Sequence, residues 1–88
     1  MFYNICDDIV EQDFETSVIL YVVQNNSFYL LEDTGYFLWK LIKNNNSFEL
    51  IVEIMVKTYN ISKKQAILDI KQFVENLIKI GVLLNEEK

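Results

Sequence analysis

The groups that could do chemistry in this 88-residue chain are carboxylates, lysines and one thiol. Histidine, arginine and proline are absent, and Cys6 is the only cysteine. Without histidine, neither a Ser-His-Asp triad nor a Cys-His pair can be assembled. The same lack removes the usual zinc ligand sets. One cysteine forms no intrachain disulfide, and a small domain without a disulfide framework points to a reducing compartment, the cytoplasm. The acids Asp7, Asp8, Glu11, Asp13 and Glu15 crowd the start of the chain, but their spacing matches no calcium loop. Glu11, Asp13 and Glu15 share one parity, which suits the solvated face of a first strand. No metal, no cofactor and no catalytic residue is expected. Carboxylate acid–base chemistry is the one enzymatic route left open.

The charge is −5 and unevenly spread. Residues 1–33 hold seven acids and no lysine, whereas residues 34–88 hold six acids and all eight lysines. That pattern suggests two faces of one domain. Phosphate-reading surfaces favour the forked guanidinium of arginine, so a nucleic-acid partner is disfavoured. The longest apolar run, Val18 to Val23, is six residues, far below the roughly 18–20 of a membrane span. The first residues lack the basic start and small-residue cleavage site of a secretory signal.

The elements that must position these groups follow from periodicity. Half the residues are apolar, enough to exclude disorder as the resting state, and the length suits a single domain. Ile9–Phe14, Ser17–Val23 and Phe28–Leu31 read as three antiparallel strands. Asn25-Asn26 fits a two-residue hairpin turn between the last two. A first helix runs to about Lys43, capped by Asp33 or Thr34, with Leu38, Leu41 and Ile42 as its buried stripe. Trp39 is expected in the core. Ser47 caps a second helix to about Tyr59 whose polar stripe, Glu49–Glu53–Lys57, is narrow. Ser62 and Gln65 form a capping box for the third. Gly81 suits the left-handed residue that closes it. The fold class is therefore α+β: a three-stranded antiparallel sheet followed by three helices, resembling a winged helix-turn-helix.

Several segments carry a family resemblance. Tyr29-Leu30-Leu31-Glu32-Asp33-Thr34-Gly35 followed by Leu38-Trp39-Lys40-Leu41-Ile42 is similar to "strand, Leu-Asn-x-x-Gly, Ile-Trp-x-Leu". Ser47-Phe48-Glu49-Leu50-Ile51, the stretch Asp69 to Leu77, and Lys79-Ile80-Gly81-Val82-Leu83 resemble the later motifs of the same pattern. This is the PqqD-like family, the RiPP recognition element, and the likeness covers about residues 9–84. Glu32 stands where the family has Asn. The resemblance implies a non-catalytic adaptor. It would bind the leader of a ribosomally synthesised precursor peptide and present it to a modifying enzyme, such as a radical SAM protein, a cyclase or a leader protease. It also implies that the leader adds as a strand beside the third strand, in a cleft bordered by the third helix.

The residues themselves offer such a site. A third strand with a free edge presents unpaired backbone groups to an extended peptide, which nominates Phe28, Tyr29, Leu30 and Leu31. On the third helix, Ile67 and Leu68 between Lys64 and Lys71 would form an apolar wall with steering charge. The opposite flank, near Asp69, Phe73 and Ile80, is the alternative wall. The same strand edge can pair with a second copy, giving a homodimer. The rival function is a winged helix-turn-helix DNA binder, which the acidic charge argues against.

Overall fold

Period-two patterning gives way to period 3.6 along the sequence, and the elements follow that order. In the computed structural model, which describes residues 4–84, the strands are β1 (Ile9–Asp13), β2 (Ser17–Val22) and β3 (Ser27–Glu32). The helices are α1 (Asp33–Lys43), α2 (Phe48–Tyr59) and α3 (Lys63–Lys79). The expected α+β order is met. The outermost parts of the expected domain, residues 1–3 and 85–88, lie outside the described residues. None of the helices is long and apolar enough to cross a membrane.

The sheet is antiparallel in the order β1-β2-β3. Val18, Leu20 and Val22 are buried under the helices. Register sets Leu20 opposite Glu11 and Tyr29, and Val18 opposite Asp13 and Leu31, so all of these share the helix-facing side. This corrects the solvated-face reading of the acids. Trp39 Nε1 donates to Glu11 at 3.1 Å, and Lys43 pairs with Glu11 at 2.8 Å. Tyr36 Oη and Lys40 Nζ each donate to Asp13 at 2.9 Å. Parity tells which side chains share a face; it does not tell that α1 brings its lysines to that face. Glu15 lies beyond the strand, at φ 77, and its N–H donates to Asp13 at 2.7 Å. The other side of the sheet carries Val10, Ile19, Tyr21, Phe28 and Leu30, with the Tyr21 and Phe28 rings stacked at 4.6 Å.

Two local expectations shift. The β2–β3 turn is longer than two residues: Val23–Asn25 form a 3₁₀ turn that closes on left-handed Asn26. Pairing with β3 stops at Val22–Ser27, while the Val23 N–H carries the β1 ladder one step further by donating to the Asp8 carbonyl at 3.0 Å. Nor does Asp33 or Thr34 cap α1. Helix α1 begins at Asp33, whose φ of 52 is left-handed, and its N-cap Glu32 makes no side-chain cap bond. Strand and helix abut, so the chain turns on a single left-handed residue, a conformation Asp tolerates better than most.

The later caps form as read. Ser47 Oγ accepts from the Leu50 N–H at 3.1 Å, and Ser62 Oγ accepts from the Gln65 N–H at 3.0 Å. The reciprocal half of the capping box is missing, because the Gln65 amide donates to Asp69 one turn on. Ser62→Ala should still cost about 1 kcal/mol in a chemical melt. After α3, Gly81 at φ 90 lets its own N–H reach the Ile78 carbonyl and the Val82 N–H reach the Leu77 carbonyl. This is a Schellman closure.

The core gathers Leu20, Leu38, Trp39, Ile51, Met55 and Ile70 between sheet and helices. Trp39 is fully buried. The first and last described residues meet: Ile5 bridges Leu83, Cys6 N–H donates to the Val82 carbonyl, and Leu84 N–H donates to the Asn4 carbonyl.

Candidate functional site

Among the described residues, the order β1-β2-β3 leaves the far side of β3 without a strand neighbour. Which backbone groups face outward can be derived. A strand residue sends its N–H and C=O to the same side, and sides alternate along the strand. Phe14 N–H bonds the Ser17 carbonyl and Val23 N–H bonds the Asp8 carbonyl, so the odd-numbered residues of β2 serve β1. The even ones, Val18, Leu20 and Val22, then serve β3 through their partners Leu31, Tyr29 and Ser27. Phe28 and Leu30 are left with N–H and C=O directed at the open edge. Their side chains are 68% and 56% exposed.

On the helix-facing side of the sheet, α3 reaches toward both ends of β3. A Cβ added at Gly35 would meet Phe73 Cε1 at 3.5 Å and Leu31 Cδ2 at 3.8 Å, so Phe73 approaches the end of β3. A Cβ at Gly81 would meet Val22 Cγ1 at 3.7 Å, and Val22 pairs with Ser27, the first residue of β3. The second half of α3 therefore runs antiparallel to β3 from its last residues to its first. The spans agree: about 12 Å of helix against about 13 Å of strand. Tyr29 and Leu31 on the helix-facing side of β3, and Phe73 on α3 with Ile80 at its C-cap, are all partly buried against the core. At 100° per residue, Asp69 and Asn76 lie on the same flank of α3 as Phe73.

The structure divides the residues nominated from sequence. Phe28 and Leu30 direct their backbone to the open edge, and Tyr29 and Leu31 face the helices. Lys64, Leu68 and Lys71 are exposed, roughly 140–180° around α3 from Phe73. Ile67 lines a separate groove with Phe48, Val52 and Val56 of α2. The four α3 residues and the four β3 residues are thus not brought together as one wall and one edge. The flank that meets β3 is the alternative one, Asp69, Phe73 and Ile80, joined by Asn76. It carries no lysine.

At the other edge of the sheet, Asp13 is held by three donors. The Lys40 ammonium, the Glu15 N–H and the Tyr36 hydroxyl hold the Asp13 carboxyl down from 3.8 to about 2. Lys40 is raised in turn, chiefly by its bond to Asp13, and Tyr36 is raised, chiefly by burial. These groups brace β1 against α1, away from the β3 edge.

A three-strand, three-helix domain with an open β3 edge beside its last helix is a defined class of fold, and the chain has relatives in it. The sequence pattern of the Coenzyme PQQ synthesis protein D (PqqD) family matches residues 17–83. The chain belongs to the PqqD family. Its fold is similar to that of TbiB1 in complex with the TbiA(beta) leader peptide. That TM-score is 0.90 at 21% identity, covering 97% of this chain and 99% of that one. It is also similar to lasso peptide synthetase B1 complexed with the leader peptide, with a TM-score of 0.89 at 16% identity, covering 97% of this chain and 100% of that one. No curated protein matches it in sequence.

Proposed function

We propose that this chain is a non-catalytic adaptor. It holds the leader of a ribosomally made precursor peptide as a fourth strand on β3 and presents it to a modifying enzyme. The observation that carries the reading is the outward backbone of Phe28 and Leu30, with the partly buried apolar side chains of Tyr29, Leu31, Phe73 and Ile80 on the neighbouring helix-facing side. An extended peptide pairs with those groups, and its alternate side chains point between Tyr29, Leu31, Phe73 and Ile80. Membership of the PqqD family and likeness to two leader-bound folds support it.

Strand pairing and a few apolar anchors supply the affinity, less the cost of ordering the peptide. The adaptor then raises the local concentration of the attached core peptide at the enzyme. The rival DNA-binding reading gains nothing from α3, whose exposed face mixes Leu68 and Glu75 with Lys64 and Lys71.

Titration with the leader of a short precursor encoded beside this chain tests the proposal. Saturable one-to-one binding by calorimetry is expected. Absence of binding by every such leader overturns it. Intrinsic fluorescence is a poor readout, because Trp39 is fully buried and bonded to Glu11 on β1, at the opposite edge of the sheet from β3.

A further inference from the structure

The side of α3 that turns away from the leader cleft has its own concavity. Between α2 and the start of α3 lies a groove of about 540 Å³. Phe48, Val52, Val56 and Ile67 give it an apolar floor. Glu49 and Glu53 rim the half nearer the start of α2, and Lys57 and Lys63 rim the half nearer the α2–α3 turn. The ion pairs among the described residues are Lys40–Asp13 and Lys43–Glu11, so none of these four rim charges is neutralised by a neighbour there. The groove is apolar below and polarised along its length, acid to base.

We propose that this groove receives an amphipathic helix of a partner protein, about three turns long, basic in its first half and acidic in its second. The occupant is a helix because both banks are helices. They offer no open backbone edge, so an extended segment would set its N–H and C=O groups against an apolar floor unpaired. A helix satisfies its own. The length follows from α2, whose 12 residues span about 18 Å. The direction follows from charge: the positive end of the helix dipole and basic side chains lie over Glu49 and Glu53, and the negative end and acidic side chains lie over Lys57 and Lys63. The chain's own α1 has the reverse polarity, with Asp33 in its first turn and Lys40 and Lys43 in its last. The leader cleft lies on the other flank of α3, so both surfaces can be filled at once.

Two hydrocarbon-stapled peptides of about 14 residues, each with one leucine stripe, test this with no leader present. One carries lysines in its first half and glutamates in its second; the other has them exchanged. Added to isotope-labelled protein, the first should shift amide resonances of Glu49–Lys57, Lys63 and Ile67 and leave Phe28–Leu31 and Phe73 unmoved. It should bind about fivefold more tightly than the exchanged peptide. The exposed double variant Glu49→Lys/Glu53→Lys makes the whole rim basic, and should keep its fold and abolish that preference. Equal binding of the two peptides, no binding, or shifts centred on β3 overturns the proposal. Concentration-dependent dimerisation through the same residues does so too, in favour of a second copy.

Discussion

At the scale of single residues, the open edge depends on groups that no side chain controls. Leu30→Pro removes one outward N–H and no bond to β2, and an edge strand accepts proline at such a position. Leader affinity should fall at least tenfold, about 1.4 kcal/mol, while the far-UV dichroism stays that of the parent. A folded variant that binds normally would place the leader elsewhere. Asp13 offers a second test. Its carboxyl is held near 2 in the fold and near 3.8 when free. A depressed acid stabilises the fold above its free value, and the contribution fades as pH falls from about 4 to about 2. Asp13→Asn should lower the melting temperature at neutral pH and flatten the loss across that acid window. Neither partner of Asp13 was legible in the sequence, because Tyr36 and Lys40 lie 23 and 27 residues away. Ser47, Ser62 and Gly81 were legible because each acts on its own helix end.

At the scale of elements, the sequence determined the phase of α3 but not its neighbours. Periodicity put Leu68 off the core face, and it is 55% exposed. The apolar arc of α3 is wide enough to have two flanks, one with Ile67 and one with Phe73. Nothing in a one-dimensional pattern says which flank meets β3. The closeness of Phe73 to Gly35 and Leu31 favours the Phe73 flank. Phe73→Ala should therefore weaken leader binding about tenfold and cost about 1–2 kcal/mol of stability, since the ring is half-buried. Leu68→Asp should leave affinity within about twofold and stability within about 0.5 kcal/mol. Lys64→Ala and Lys71→Ala should likewise leave the association rate and its salt dependence unchanged, because the cleft flank has no lysine. Calorimetry beside thermal melts separates these outcomes. The opposite ranking of Phe73 and Leu68 would return the site to the face nominated from sequence.

At the scale of the molecule, the domain is a slab of 37 × 35 × 18 Å. Its thin dimension is one sheet plus one helical layer, the packing that a short chain with half its residues apolar can complete. A slab has more surface for its volume than a sphere. Here the extra surface takes the form of a strand edge, an interhelical groove and an apolar outer sheet face with Val10, Phe28 and Leu30 more than half exposed. Composition made the single thin domain legible. It did not reveal that the outer sheet face would stay uncovered, since alternation looks the same whether a second layer covers a face or water does.

The pairing of Ile5 with Leu83 closes a loop of about 80 residues, the most expensive kind of contact for a searching chain to find. It should form late, after the sheet and helices have brought its two sides within reach. A circular permutant makes this measurable. Joining residue 4 to residue 84 through a short flexible linker, with new ends opened at Asn45 in the α1–α2 loop, turns that distant contact into a local one. The permutant should keep a native-like dichroism spectrum and a comparable melting temperature, and should refold faster than the parent in stopped-flow mixing. The leader cleft would be unaltered, so the permutant would also carry new fusion points on the side of the slab where α1 gives way to α2.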